Sequence, residues 1–330
     1  MIPTRALVPI LLAILSVATA LSVQSAAAQT YPNRPITLIV PYAAGGTTDA
    51  IARVISESMS QSLGQQVVIE TVGGAGGTIC AARVDRGAPD GYTILLHQPG
   101  LPAGMTLYNN LTFDAAKDFT GIGMVNTSGS MVTGRASLPA NSLPELVRWM
   151  KEPGRTTKMA HAGVASYGHL CGVMFVQAVG AAADQIPYRG AGPALNDLVA
   201  GHADLSCQSP AVSAALVKSG QLKGFGILGK KRFAGLPDVV SLTEAGYKGL
   251  DLEFWHALFA PTGTPRPIVD RLNAALRQSF ADAKVRQIFD GNGMDLYPAE
   301  QQTPEAASAL LISEIKRWGD VIRVNNITAQ

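Results

Sequence analysis

Ile36-Thr37-Leu38-Ile39-Val40-Pro41-Tyr42-Ala43-Ala44-Gly45-Gly46-Thr47-Thr48-Asp49 is the stretch from which the fold can be read. Its first five residues are mostly β-branched and stop at a proline, as a short buried strand does. A glycine-bearing loop follows. From Asp49 onward Ile51, Val54, Ile55, Met59 and Leu63 recur at helical spacing. The unit is strand, glycine loop, helix. Working outward, residues 66–70 read as a second strand, Gly73 to Gly77 as a turn, and the segment to Ala88 as a helix. Pro89-Asp90-Gly91 is a turn before a third strand at 92–96. Strands alternating with helices predict an α/β protein, with mostly parallel sheets covered by helices on both faces.

The pattern then starts again. A helix at 143–150 precedes a strand at 157–161, a loop at 163–168 and a helix at 169–179. Strands at 185–187, 203–207 and 222–228 alternate with helices at 193–200 and 211–219. Three helices close the chain, at 267–281, 283–289 and 304–324, and such a tail is expected to pack back on the first unit. A length of 330 residues exceeds the usual single core. With crossovers near 125–128 and 252–255, the expected division is lobe 1 from 29–127 and 254–330, lobe 2 from 128–253, and a cleft between them.

Residues 1–28 read differently. Arg5 is their only charge, an apolar run covers Leu7 to Val23, and Ala26-Ala27-Ala28 supplies small residues before Gln29. That is the layout of a secretory signal peptide cleaved near Ala28, which predicts a periplasmic protein. The run is near the lower length limit for a membrane anchor, but Ser16, Thr19 and Ser22 dilute it. The chain carries 26 Lys and Arg against 24 Asp and Glu, and Arg5 leaves with the signal, so the mature protein is close to neutral. Without a basic stripe interleaved with aromatics, nucleic acid is not an expected partner. Cys80, Cys171 and Cys207 are too few for a disulfide framework. The plain reading is three small buried side chains, and the rival reading is a Cys171–Cys207 bridge. No pair has metal-ligand spacing, so neither a metal nor a cofactor is expected.

Two loops carry the functional signal. In the first, Pro41 to Asp49, Gly45-Gly46 allows close backbone approach to a ligand. The unpaired N–H groups at the start of the next helix favour an anion, and Thr47 and Thr48 add hydroxyls. The plain reading of Asp49 is a helix cap. The second loop, His161 to Leu170, offers Ser166 and further N–H groups. Ser166 and His169 raise the question of a hydrolase. Val164 stands where a nucleophile elbow needs glycine, however, and no acid is placed to orient His169. Gly73 to Gly77 misses the dinucleotide spacing and reads as a tight turn for helix–sheet packing. His97 and His202 are expected at surface or loop positions.

The ordered segments YPNRPITLIVPYAAGGTTDAIAR, GQQVVIETVGGAGGTI, PDGYTILL, GVASYGHL, IPYRGAGPALNDLVAGHADL, LPDVVSLTEAGY and FWHALFAPTGTPRPIVDRLNAAL extend over nearly all of the chain from Tyr31. In them the chain resembles the substrate-binding proteins of tripartite tricarboxylate transporters, the Bug family. The resemblance implies a type II periplasmic-binding fold and an extracytoplasmic receptor, not an enzyme, that takes a small organic carboxylate. It implies membrane permease subunits as partners. The receptor itself is expected to be a monomer. Implied ligand contacts are Tyr42, Ala43, Ala44, Gly45, Gly46, Thr47 and Asp49 in the first loop, and Gly163, Val164, Ala165, Ser166, Tyr167 and His169 in the second. Tyr188 and Gly190 line the cleft in this reading. Ala165 stands where the family usually has glycine, and Tyr167 and Gly168 replace small residues or proline. Gln208 stands where an acidic residue is common, which removes repulsion of a second ligand carboxylate and points to a dicarboxylate, aliphatic or aromatic. The alternatives are a cleft enzyme of acyl or phosphoryl chemistry, or a carboxylate sensor feeding a signalling partner.

Overall fold

The structure is a computed structural model that describes residues 31–229, 231–250 and 252–328. The expected signal peptide lies outside the described residues. Contacts divide the chain into residues 1–33, of which Tyr31–Asn33 are described, and residues 34–330, which hold both sheets.

Eleven strands are present among the described residues: β1 Ile36–Pro41, β2 Val67–Val72, β3 Thr93–His97, β4 Phe119–Ser128, β5 Ser130–Arg135, β6 Thr157–His161, β7 Ala183–Pro187, β8 Leu205–Gln208, β9 Leu222–Leu228, β10 Phe254–Pro261 and β11 Met294–Leu296. They form two sheets, ordered β11-β4-β10-β3-β1-β2 and β7-β6-β8-β5-β9. The first unit adds helices α1 Thr47–Leu63, α2 Thr78–Asp85, α3 Gly100–Leu107 and α4 Ala115–Asp118. The second adds α5 Leu143–Met150, α6 Tyr167–Ala178, α7 Ala191–Ala200 and α8 Pro210–Lys218. The tail is α9 Arg266–Ser279, α10 Ala283–Gly291 and α11 Pro304–Val324.

Each sheet is mixed where the sequence predicted mostly parallel pairing. β1 runs parallel to β2 and β3, but β10 is antiparallel to β3 and β4. The reason is the crossover. The chain leaves the first sheet at the end of β4 and returns beside it, so β10 must run the opposite way: Phe254 pairs with Ser128. β5 sits antiparallel between β8 and β9 for the same reason. The two connections therefore lie side by side at Ser128–Ser130 and just before Phe254.

Local chemistry sets the helix ends. Gly64 ends α1 in the left-handed region at φ 69°. Ser142, Ser166 and Thr303 cap α5, α6 and α11, their hydroxyls accepting from the N–H groups of Glu145, His169 and Ala306. As expected, α11 packs on the first lobe, against β4 and α3. Buried Glu314 fastens it there: one carboxylate oxygen accepts from the indole N–H of both Trp255 and Trp318, each at 2.9 Å. Around it Ile39, Leu95, Phe119, Phe259 and Leu311 form the core of this lobe.

Candidate functional site

Four helices begin at one cavity between the sheets. It is lined by Gly46, Thr47, Thr48 and Asp49 at the start of α1, Ser166, Tyr167 and Gly168 at the start of α6, Ala191 at the start of α7, and Gln208 and Ser209 before α8. Pro41, Tyr42, Ala43, Gln98, Ala162, Cys207 and Phe254 complete the wall. Every one of these helices follows the C-terminal end of a strand, β1, β6, β7 or β8. In an open α/β sheet that end is where ligands bind. The partly positive helix starts point inward together. Asp49 is the one ionisable carboxylate of the wall, and the wall holds no Lys, Arg or His.

The first loop is built by strain and hydrogen bonding. Tyr42 takes a positive φ of 73°, which is rare for a bulky residue and typical of functional loops. Its hydroxyl donates to the Gly76 carbonyl at 2.8 Å and accepts from the Gln98 amide, while Gln98 accepts from the Gly100 N–H at 3.0 Å. Burial pushes the Tyr42 hydroxyl well above its ordinary pKa, with Cys80 adding to the shift, so it remains a neutral donor. Gly45 uses the left-handed freedom the sequence allowed, at φ 88°, whereas Gly46 is extended at φ −94°. Gly46 caps α1 without any side-chain bond, leaving the N–H groups of that helix start open to the cavity. Asp49 sits one turn in and reaches back to accept from the Gly45 N–H at 3.0 Å and from Arg53 at 3.1 Å.

In the second loop Ala165 takes a φ of 66°. That accounts for the glycine usual in the family resemblance: this chain holds an alanine in a conformation that favours glycine. The loop is shaped by two imidazoles. His161 Nδ1 accepts from the Gly163 N–H at 3.2 Å and His169 Nδ1 from the Ala165 N–H at 3.4 Å. Burial pulls both below the ordinary histidine range, His161 to about 3 and His169 to about 4, so both stay neutral acceptors. Ser166 Oγ accepts from the His169 backbone and makes no bond to its ring. The pair is structural, with no nucleophile–base contact. Tyr167 stacks on Phe254 at 4.4 Å between centroids and donates to the Leu252 carbonyl at 3.0 Å, tying the second loop to the returning connection.

The lobes meet across the cleft. The Ala43 N–H donates to the Arg189 carbonyl at 2.9 Å, and the Tyr108 hydroxyl to the Val164 carbonyl at 3.2 Å. A β-carbon at Gly190 would lie 2.8 Å from the Ala43 nitrogen, and one at Gly192 2.9 Å from the Ala44 carbonyl oxygen. The glycines hold the surfaces in contact, and the cleft is closed.

Of the residues singled out in the sequence, Tyr42, Ala43, Gly46, Thr47, Thr48, Asp49, Ser166, Tyr167 and Gln208 come together on the cavity wall. Ala44, Gly45, Gly163, Val164, Ala165, His169, Tyr188 and Gly190 shape the loops or the lobe contact instead. The Tyr188 hydroxyl donates to Asp197 at 2.6 Å, away from the cavity wall. Gln208 donates through Nε2 to Ser206 Oγ at 2.9 Å. Sequence reasoning missed Gln98, Ala162, Ala191, Ser209 and Phe254. Gln98 and Ser209 could have been found, since each follows the C-terminal end of a predicted strand.

Three expectations need correction. His97 is fully buried rather than at the surface, with its Nε2 3.3 Å from the Gly77 carbonyl oxygen; burial pulls it to about 4. Gly73 to Gly77 does more than pack a helix on a sheet, because Gly76 abuts Val164 and Ala165 of the other lobe. Cys171 and Cys207 are bridged, leaving only Cys80 free among the described residues. Their Cα atoms lie 6.0 Å apart, because the start of α6 lies against β8.

The described residues contain no group of three or more His, Cys, Asp or Glu able to hold a metal, and no helix long and apolar enough to cross a membrane.

Comparison with known proteins agrees with this architecture. The tripartite tricarboxylate transporter family receptor matches residues 51–327. The solved periplasmic binding protein BugD superposes with a TM-score of 0.87 at 36% identity, covering 91% of this chain and all of that one. MatC from Rhodopseudomonas palustris, solved with bound malate, gives 0.85 at 34% identity over 88% of this chain and all of its own. R. palustris Rpa4515, solved with adipate, gives 0.85 at 29% identity over 90% and 99%. With a type II periplasmic-binding fold, the chain belongs to the tripartite tricarboxylate transporter receptor family, whose members are binding proteins rather than enzymes.

Proposed function

We propose that this receptor works outside the cytoplasmic membrane and captures a small organic dicarboxylate for the permease subunits of a tripartite transporter. The observation that carries the reading is the convergence of four helix starts on a wall without Lys or Arg. Such a site neutralises an anion with N–H groups and dipoles, and its backbone donors fit a planar carboxylate well. The uncapped start of α1 at Gly46 is the place for the first carboxylate. Gln208, in the second lobe, is the donor for the other end. Malate in MatC and adipate in Rpa4515 are ligands of two relatives, and both carry a carboxylate at each end of a short chain. The leader-like residues 1–28 support export.

A thermal-shift screen of the mature protein against mono-, di- and tricarboxylates and aromatic acids tests this. A ligand that binds only the folded state raises the melting temperature. Dicarboxylates of malate to adipate length should raise it most, and small-angle scattering should show compaction on their addition. A flat response to every carboxylate would sink the reading.

A further inference from the structure

His256 stands behind the ligand loop without touching the cavity. It lies on β10, fully buried, and its Nε2 is 3.0 Å from the hydroxyl oxygen of Thr48. Thr48 is on the cavity wall; His256 is not. The ring's other nitrogen, Nδ1, is buried without a partner. Burial, and after it the neighbouring His97, pulls His256 to about 3, so the ring is neutral and carries one proton.

We propose that His256 is a positioning residue for ligand recognition: its Nε2–H donates to Thr48 Oγ1, which turns the Thr48 hydroxyl hydrogen into the cavity toward the ligand's first carboxylate. This rests on the carboxylate reading above. Two arguments give the direction. An orphaned buried N–H is rarer than an orphaned acceptor, so the proton belongs on Nε2, leaving Nδ1 as a bare lone pair. A carboxylate beside Thr48 also requires a hydrogen from it, because two oxygens facing each other through lone pairs repel. Thr48 has one hydroxyl hydrogen and can give it to the ligand only if it does not give it to the ring, so the ring nitrogen at 3.0 Å, His256 Nε2, must be the donor of that contact. The reverse arrangement, with Thr48 donating to the ring, would present a lone pair to the anion. The chain His256, Thr48, carboxylate aligns successive dipoles, which strengthens each bond.

Calorimetry with malate and adipate on wild type, T48V, H256F, H256Q and the T48V/H256F double variant tests the proposal. Thr48→Val should weaken binding about tenfold or more, the scale of a lost bond to a charged group. His256→Phe should weaken it about fivefold in the wild-type background and less than twofold once Thr48 is Val, because its effect passes through that hydroxyl. His256→Gln keeps an N–H at similar reach and should bind within about threefold of wild type. A ring that merely fills space would give H256F the same loss in both backgrounds and no rescue by Gln, and that result overturns the proposal. Because His256 is buried, each apo variant is melted first. Should H256F not fold, H256N, whose amide is too short to reach Thr48, replaces it against H256Q, with equal affinities counting against the proposal. Wild type that binds neither acid overturns the carboxylate reading and this proposal together. Wild type that binds while H256F is unchanged overturns this proposal alone.

Discussion

The carbonyl oxygen of Val164 occupies the place a side chain at Gly76 would need: a β-carbon built on Gly76 lies 2.1 Å from it. Gly76 belongs to one lobe and Val164 to the other, so the contact exists only when the cleft is shut. Gly76 also has a φ of 62°, where alanine is strained in either state.

Gly76→Ala should therefore separate closure from folding. The clash is with backbone, which cannot swing aside, so the closed state is penalised beyond the roughly 1 kcal/mol of local strain. Ligand affinity should fall more than about tenfold, while the apo protein loses no more stability than a left-handed Gly→Ala change costs. Scattering on ligand addition should show weaker compaction than wild type. An affinity equal to wild type would mean that the bound form is less closed than this structure.

The sequence exposed the strands and helices that carry periodicity, and hid what depends on contact between distant segments. β1 was legible because Ile36 to Val40 is an uninterrupted run suited to a strand buried on both faces. The starts of α1 and α6 followed from glycine and serine after a strand. β4 was not read as a strand because Gly121 and Gly123 interrupt it. Those glycines admit α11 and Asn273: β-carbons there would lie 2.5 Å from the Pro304 carbonyl oxygen and 2.7 Å from the Asn273 amide. Nothing local announces such an approach. The same holds for His97, which is buried only because Gly77 leaves room for its ring, and for Gly76 against Val164. The site was half visible. Loop backbones between strand and helix could be named, whereas Ala191 and Phe254 reach the wall through topology.

The disulfide fastens the second half of the site. Cys171 lies one turn into α6, and Cys207 immediately precedes Gln208. The bridge closes a loop of sequence separation 36, for which chain entropy alone gives roughly 3–4 kcal/mol. Reductant should lower the melting temperature of wild type and leave a Cys171→Ala/Cys207→Ala variant unaffected. Melting that ignores reductant in both proteins would show that the bridge contributes nothing in solution.

Four buried histidines make stability depend on mild acid. His97, His161, His169 and His256 are held neutral, at about 4, about 3, about 4 and about 3, by burial above all. Unfolded, each titrates near about 6.5. Above that pH neither state is protonated and the four add no pH dependence. Below it the unfolded chain binds protons that the folded one refuses, so stability falls as pH falls from about 6.5 toward about 4. The limit is about 1.4 kcal/mol per histidine per pH unit. Urea midpoints at pH 7.5 and 5.5 should differ clearly, with the lower value at 5.5. Identical midpoints would mean that these rings gain solvent or partners in solution.

Ligand length should be read at Gln208. Its amide is buried, lines the cavity and is held by Ser206 Oγ at 2.9 Å, while Ser206 in turn donates to the Ala160 carbonyl at 2.8 Å. That tether uses one of the two Nε2 hydrogens, and the other is available to an acceptor. It lies near the start of α6, where a β-carbon on Gly168 would be 3.7 Å from Nε2. A ligand whose first carboxylate sits at Gly46 on α1 can thus present a second one to an amide hydrogen and a helix start together. Gln208→Asp shortens the side chain by one methylene, places a negative charge on the side of that second carboxylate, and removes the donor. Malate and adipate should lose roughly 2–4 kcal/mol of affinity, the scale for a badly paired buried charge. A matched monocarboxylate, with nothing at the distal end, should lose much less. Calorimetry on the two proteins with each ligand pair reads the difference directly. Equal losses for mono- and dicarboxylates would place the distal end elsewhere, and a dicarboxylate bound no more tightly than its monocarboxylate by wild type would remove the basis for a second anchor.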